Sequence, residues 1–179
     1  MVIERPEQLR PAVEQVWAWL AEVEDPEIPV VSVVDLGIVR EVAWEGDECV
    51  VTITPTYSGC PATHVIAESI EHALREHGVP RVRLVSRIAP AWTTDWMSEE
   101  GKRKLRAYGI APPIGLASEQ RIALDQIGRG GLPAAAPLPA CPHCGSTATR
   151  LTSQFGSTPC KALYVCTRCR EPFDHFKCH

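Results

Sequence analysis

Two matched pairs of cysteines, "CPHCG" at 141–145 and "CTRC" at 166–169, constrain this chain more than any other feature. Each C-x2-C knuckle turns two thiolates toward one point, and two knuckles on neighbouring hairpins complete a tetrahedral four-sulfur site. The 21 residues between the pairs slightly exceed the usual ~15 to 20, an excess that a longer hairpin absorbs. Residues 141–179 are too few to bury an adequate core alone, so a metal clamp is physically expected. A closed four-thiolate set leaves no position for water or substrate. The expectation is therefore one structural zinc on Cys141, Cys144, Cys166 and Cys169. "ATRLTSQF", "CKALYV" and "EPFDHFKC" supply three strands for the module. Cys160 and Cys178 fall outside the pairs, as buried packing thiols or as accessory ligands if the tail centre is an iron–sulfur cluster.

The cysteines are unevenly placed: six of the eight lie between Cys141 and Cys178. Charge is uneven as well. From residue 141 onward five cations face two acids, a net of +3, while the whole chain carries −4, so the first 140 residues carry −7. An acidic body disfavours nucleic acid as a partner. A hydrophobic fraction of 45% with 22% charged residues is ordinary for a soluble globular protein. No stretch approaches the roughly 18 to 20 apolar residues that span a bilayer, so no membrane is expected. "MVIERPEQLRP" lacks the basic-then-apolar pattern of a signal peptide. The expected location is the cytoplasm, where thiols stay reduced and serve as metal ligands or reactive groups.

Ahead of the tail, hydrophobic periodicity predicts helix, strand, strand, helix, strand, helix. Leu9, Val13, Val16, Trp17, Leu20 and Val23 mark one helical face, with Pro11 in the first turn. Strands are expected from Ile38 to Trp44 and from Cys49 to Thr54, joined by the turn "EGDE". A helix from Pro61 to about His77 should bury Val65, Ile66, Ile70, Ala73 and Leu74. A third strand alternates from Val82 to Ile88, and "SEEGKRKLRAYG" gives the last helix, acidic at its start and basic toward its end. The fold class is α+β: a small three-stranded domain over 1–112, a Pro/Ala/Gly-rich linker over 113–140, and a zinc ribbon over 141–179. Within the linker, "SEQRIALDQIG" allows a short helix, and the Pro/Ala/Gly composition predicts that the two modules behave independently.

"TPTYSGCPATHVI", residues 54–66, places a thiol where a strand ends and a helix begins. Gly59 permits a tight turn and Pro61 suits the first helical position, which puts Cys60 at the N-cap. Exposed N–H groups and the positive end of a helix dipole favour a thiolate there. Thr56, Tyr57 and Ser58 add hydroxyls at the same end of the sheet. The loop lacks the G-K-[ST] ending of a phosphate loop. His64, four residues on, is a candidate base, but neither an orienting group nor an oxyanion hole is evident, which disfavours a thiol enzyme. A buried cysteine with a surface histidine is the plain alternative. Cys49 starts the strand that ends near Pro55, roughly 20 Å away at ~3.3 Å per residue. Any cluster on Cys60 must borrow ligands from a second subunit, a partner or the tail.

"DPEIPVVSVVDLGIVREV" and "TPTYSGCPA" resemble the small domain shared by SufT-type and cytosolic iron–sulfur assembly factors. With "PAWTTDWMSEEGKRKLRAYGIAPP" and the tail "FGSTPCKALYVC…CREPFDHFKC", the chain resembles the PaaD (PaaJ) family of accessory subunits encoded with phenylacetyl-CoA epoxidases of aerobic phenylacetate degradation. The resemblance implies an α/β front domain, a zinc-ribbon tail, and a role in maturing the epoxidase rather than catalysing its reaction. It implies assistance with assembly of an iron–sulfur or di-iron centre through a transient cluster or iron. Asp25, Pro26, Glu27, Asp35, Gly37, Thr54, Pro55 and Cys60 fall on the front-domain motif. Cys60, with Asp35 and Thr56 lining the same site, is the expected handover thiol. The implied partners are epoxidase subunits, especially the iron–sulfur reductase component, with a homodimer as a further expectation. The competing reading is a non-catalytic adaptor that docks through its ribbon and the loop of Trp92 and Trp96.

Overall fold

The computed structural model describes residues 10–57, 59–115 and 137–177. Helix α1 (Val13–Leu20) is followed by strands β1 (Val39–Glu45) and β2 (Glu48–Ile53), helix α2 (Ala62–Glu76) and strand β3 (Val82–Ser86). A 3-10 turn at Thr94–Trp96 leads into helix α3 (Glu99–Tyr108) and the short strand β4 (Ile110–Ala111). The tail contributes β5 (Thr149–Ser153), β6 (Lys161–Cys166) and β7 (Pro172–Phe176).

The front sheet has the order β1-β2-β3. Strands β1 and β2 are an antiparallel hairpin whose ends, Glu45 and Glu48, pair across Gly46 and Asp47. Gly46 takes φ +61°, the left-handed conformation that such a two-residue turn demands. Strand β3 runs parallel to β2, with Cys49 opposite Val82 and Ile53 opposite Ser86, so α2 is the crossover between them. The outward side chains form an ion-pair row, with Arg83 on Glu45 and Glu48 and Arg87 on Glu41. The inward ones, with Val16, Leu20, Ile66, Ile70 and Leu74 from the helices, make the core.

Several expectations shift at element ends. Pro11 precedes α1 rather than entering its first turn; Ala12, extended at φ −60° and ψ 149°, is the cap. Strand β3 stops at Ser86, which leaves Ile88 71% exposed instead of facing the core. Val65 is 46% exposed on α2, because the buried stripe is Ala62, Ile66, Ile70 and Leu74 at spacings of four. Leu9 and the "SEQRIALDQIG" helix lie outside the described residues.

Helix α3 is fixed at both ends. Ser98 Oγ accepts the Gly101 N–H at 2.8 Å, and Gly109 at φ +96° reverses the chain past the last turn. Strand β4 corrects the expected independence of the modules. It leaves α3 and pairs parallel with β7, Ile110 opposite Asp174 and Ala111 opposite His175, giving a second sheet of order β4-β7-β6-β5. Phe176, 1% exposed, and Cys160, 6% exposed, belong to the front core, and the Phe176 ring lies 6.2 Å from that of Trp92. The ribbon is docked on the front domain by a strand and an aromatic anchor. Among the described residues no helix is long and apolar enough to cross a membrane.

Candidate functional site

The two knuckles meet as their spacing requires. Cys141, Cys144, Cys166 and Cys169 bring their sulfurs within 4.8 Å of one another. The Cys141–Cys169 and Cys144–Cys166 sulfur pairs stand 3.7 and 3.6 Å apart. Zinc–sulfur bonds of about 2.3 Å on a regular tetrahedron give sulfur–sulfur edges of about 3.8 Å, so zinc fits this set. The Cys169 N–H, 3.5 Å from Cys166 Sγ, draws the Cys166 thiol below its ordinary range and favours the thiolate a metal needs. All four ligand positions are filled by protein. That makes a structural zinc site, with no vacancy for chemistry.

Cys60 occupies different surroundings. Pro61 is the cap of α2 and already has helical dihedrals, φ −66° and ψ −26°, so Cys60 sits one residue before the cap position expected for it. Its N–H donates to Tyr57 O at 3.1 Å, and its carbonyl accepts from Thr63 N–H at 3.2 Å. The thiol is half-buried and lines a cavity of about 20 Å³, room for one water-sized species. Asp25, Glu27, Thr56, Thr63 and Cys160 share that cavity with it. Thr56 therefore joins Cys60 as expected, and Cys160 arrives from the ribbon. The tail quartet does not include Cys160, which packs against the front core instead. Burial pushes its thiol up. Cys178 lies outside the described residues.

Asp35 does not share this cavity. Its carboxylate accepts from Ser32 N–H at 3.1 Å, Ser98 Oγ at 3.0 Å and Lys104 Nζ at 2.6 Å. Burial works to raise its pKa, but Lys104, the Ser32 N–H and Ser98 outweigh it and hold the carboxyl below its usual value. Asp35 clamps the 32–35 turn onto the start of α3. The fit is close: a Cβ on Gly101 would meet the Asp35 carbonyl oxygen at 2.9 Å. His64 points outward, 84% exposed and 3.2 Å from Glu68, and gives Cys60 no base. Trp92 is buried and donates its indole N–H to Leu36 O at 2.9 Å, while the Arg40 guanidinium covers the Trp96 ring at 3.6 Å. The tryptophan loop helps to close the core.

Asp25 and Glu27 define the far wall. Asp25 Oδ1 accepts from the N–H groups of Glu27 and Ile28, both at 2.9 Å, which folds the "DPEIP" turn and aims Glu27 toward the cavity. Burial outweighs those hydrogen bonds and raises the Asp25 carboxyl. Sequence reasoning placed both residues on the motif but could not bring them to Cys160, because that contact depends on how the ribbon docks.

Comparison with known proteins respects this division. Residues 13–86 match the iron–sulfur cluster assembly protein family, and residues 130–177 match the PaaD zinc beta ribbon domain. Fold and donor set thus define an iron–sulfur assembly-type domain closed by a zinc ribbon. Along 168 residues the chain is 46% identical to a putative 1,2-phenylacetyl-CoA epoxidase subunit of Escherichia coli (strain K12), covering 94% of each. The chain belongs to the PaaD family. The front half is 38% identical over 94 residues to an Fe-S protein maturation auxiliary factor of Porphyromonas gingivalis, covering 51% of this chain and 89% of that one. A crystal structure of a DUF59 domain from Bacillus anthracis is 31% identical, covering 52% of this chain and 90% of that one at a TM-score of 0.48.

Proposed function

We propose that the chain is an accessory maturation factor for a phenylacetyl-CoA epoxidase, and that Cys60 is the thiol that carries an iron–sulfur or iron cargo to it. The single observation behind this reading is the setting of Cys60. It is a half-buried thiol lining a mostly apolar cavity that also holds Glu27, Thr56 and Cys160, on a domain of the iron–sulfur assembly family. The tail quartet serves as a structural clamp with zinc, and Thr56 supports Cys60 from the cavity wall. The client subunit with the most direct need of such cargo is the iron–sulfur reductase component of the epoxidase. Delivery to it takes place in the cytoplasm, where the thiols stay reduced.

Cells that produce the epoxidase alongside a Cys60→Ser chain test the reading. The expected result is a folded, zinc-loaded variant together with an epoxidase depleted in iron or sulfide and slower in turnover. Normal iron, sulfide and turnover in that epoxidase would remove the handover role.

A further inference from the structure

We propose that Cys60, Cys160 and Glu27 form a thiolate–carboxylate site for one borderline divalent cation, ferrous iron in the cell, built across the seam between the front domain and the ribbon. The proposal rests on the handover reading and names its cargo at the loading step: a single ion. The three residues line one cavity of about 20 Å³, space for a single water-sized species between them.

The three donors come from three places that only the docked fold unites. Glu27 is set by the Asp25 turn, Cys60 by the start of α2, and Cys160 by its place immediately before β6. Cys160 Sγ lies 3.9 Å from Glu27 Oε2 and 3.0 Å from Thr158 Oγ1. The Tyr57 carbonyl accepts the Cys60 N–H at 3.1 Å, and Thr56 and Thr63 line the cavity beside the three donors. Asp25 is a positioning residue, its carboxylate engaged by backbone N–H groups. Two thiols with one carboxylate suit a soft or borderline divalent ion and reject Mg²⁺ and Ca²⁺, which take all-oxygen sets.

Each thiol gives up its proton to solvent, and two thiolates with one carboxylate then exceed the charge of the ion by one. Lys161, buried next to Cys160, places one cation beside the group and shares it with Asp174 at 3.8 Å. Among the described residues the tail quartet is the only group of three or more donors already gathered at ligating distance. The seam site therefore closes by rotation of its half-buried members, Glu27 and Cys60, onto the fixed Cys160. A site that must close to bind also opens to release. That property separates handover from storage.

The test uses the full chain with its tail zinc retained, kept anaerobic and titrated with Co²⁺ as a spectroscopic probe and with Fe²⁺. Wild type should take up one metal beyond zinc and show thiolate-to-cobalt charge-transfer absorption. Cys160→Ser should lose part of that absorption and at least about tenfold in affinity, the scale of losing one ligand's support. Glu27→Gln, a near-isosteric change at a half-buried position, should weaken binding by a similar factor with the charge-transfer band kept. Unchanged affinity in Glu27→Gln, an unchanged band in Cys160→Ser, or no second metal in wild type would overturn the seam site. Those outcomes leave the epoxidase result for Cys60→Ser untouched, so the two readings fail separately.

Discussion

Two groupings of sulfur among the described residues differ in the properties that govern exchange. In the tail, four sulfurs are gathered within 4.8 Å and complete a tetrahedron. At the seam, two thiols from different modules share a cavity with two carboxylates, Asp25 and Glu27, and one of those thiols is half-exposed. A full protein ligand set removes every route by which another molecule could take the metal, and its binding energy becomes folding energy. A partial set reachable from solvent gives up stability but leaves an approach for a receiving ligand. Retention and transfer need opposite geometries; the tail has the first, and the seam is proposed for the second.

The largest expected effect is loss of the tail metal. Structural zinc contributes on the order of 10 kcal/mol to folding of small modules. Cys166→Ser, or treatment with a strong chelator, should abolish zinc binding and unfold the ribbon. Because Phe176 and Cys160 belong to the front core, the front domain should lose stability with it. Circular dichroism melts with and without chelator, beside metal analysis, would show this. A front-domain melt indifferent to chelation would mean that the two regions are energetically separate after all.

Next in size is Phe176→Ala, which leaves the metal in place and cuts the anchor. Truncating a buried phenylalanine costs about 3–5 kcal/mol. Phe176 is 1% exposed and packed beside Trp92. Wild type should melt in one transition, and the variant should show an early one, with faster proteolysis of the tail while zinc stays bound. One unshifted transition would rule out the seam as a source of cooperativity.

The seam is also where the sequence was least informative. Periodicities of 3.6 and 2 placed α1, α2, α3 and the three front strands to within a few residues, since each buries one face against a near neighbour. The knuckle spacing named all four tail ligands, because C-x2-C geometry is local. Strand β4 is two residues long and pairs with a strand more than sixty positions later, so no local pattern announces it. Cys160 looked like a spare tail thiol for the same reason. Asp35 drew attention through its place in a motif, yet its work is holding a turn to a helix, which only the partners Ser98 and Lys104 make visible.

The third effect comes from pH. His175 on β7 is buried against β4, and burial lowers its pKa to about 4 despite a hydrogen bond to the Pro112 backbone. The unfolded histidine, near 6.5, binds a proton that the folded one refuses until about 4. Through that window the unfolded state holds more protons, so stability falls as pH drops from about 6.5 toward 4. At about 1.4 kcal/mol per pH unit the loss approaches about 3 kcal/mol, and it is absent above pH 7. Urea midpoints at several pH values, for wild type and for His175→Gln, would isolate the term. If both chains lose stability in parallel across that window, the histidine does not guard the seam.

The smallest effect expected is that of Asp35→Asn, and it decides whether the motif aspartate belongs to the handover site or to the scaffold. Its carboxylate touches Ser32, Ser98 and Lys104 and lines no wall of the Cys60 cavity. The amide keeps one acceptor oxygen and much of the shape, but loses the charge that Lys104 pairs with at 2.6 Å. Hydrogen bonds to charged groups contribute about 1.5–3 kcal/mol, and the Lys104 side chain is 34% exposed, so solvent trims the loss to about 1–2 kcal/mol. The carboxyl is held below its usual pKa in the folded chain, so the stability that Asn forfeits is present above the unfolded carboxylate pKa and fades as pH falls through the folded one. The difference between wild type and variant should therefore be full at neutral pH and shrink in acid. Alkylation of Cys60 by a small reagent is the second readout. Cys60 is half-buried whereas Cys49 and Cys160 are buried, so it should react first among these three. A scaffold role for Asp35 leaves that rate and the second metal equivalent unchanged while the urea midpoint drops. A fall in metal uptake with an unchanged midpoint would instead return Asp35 to the site.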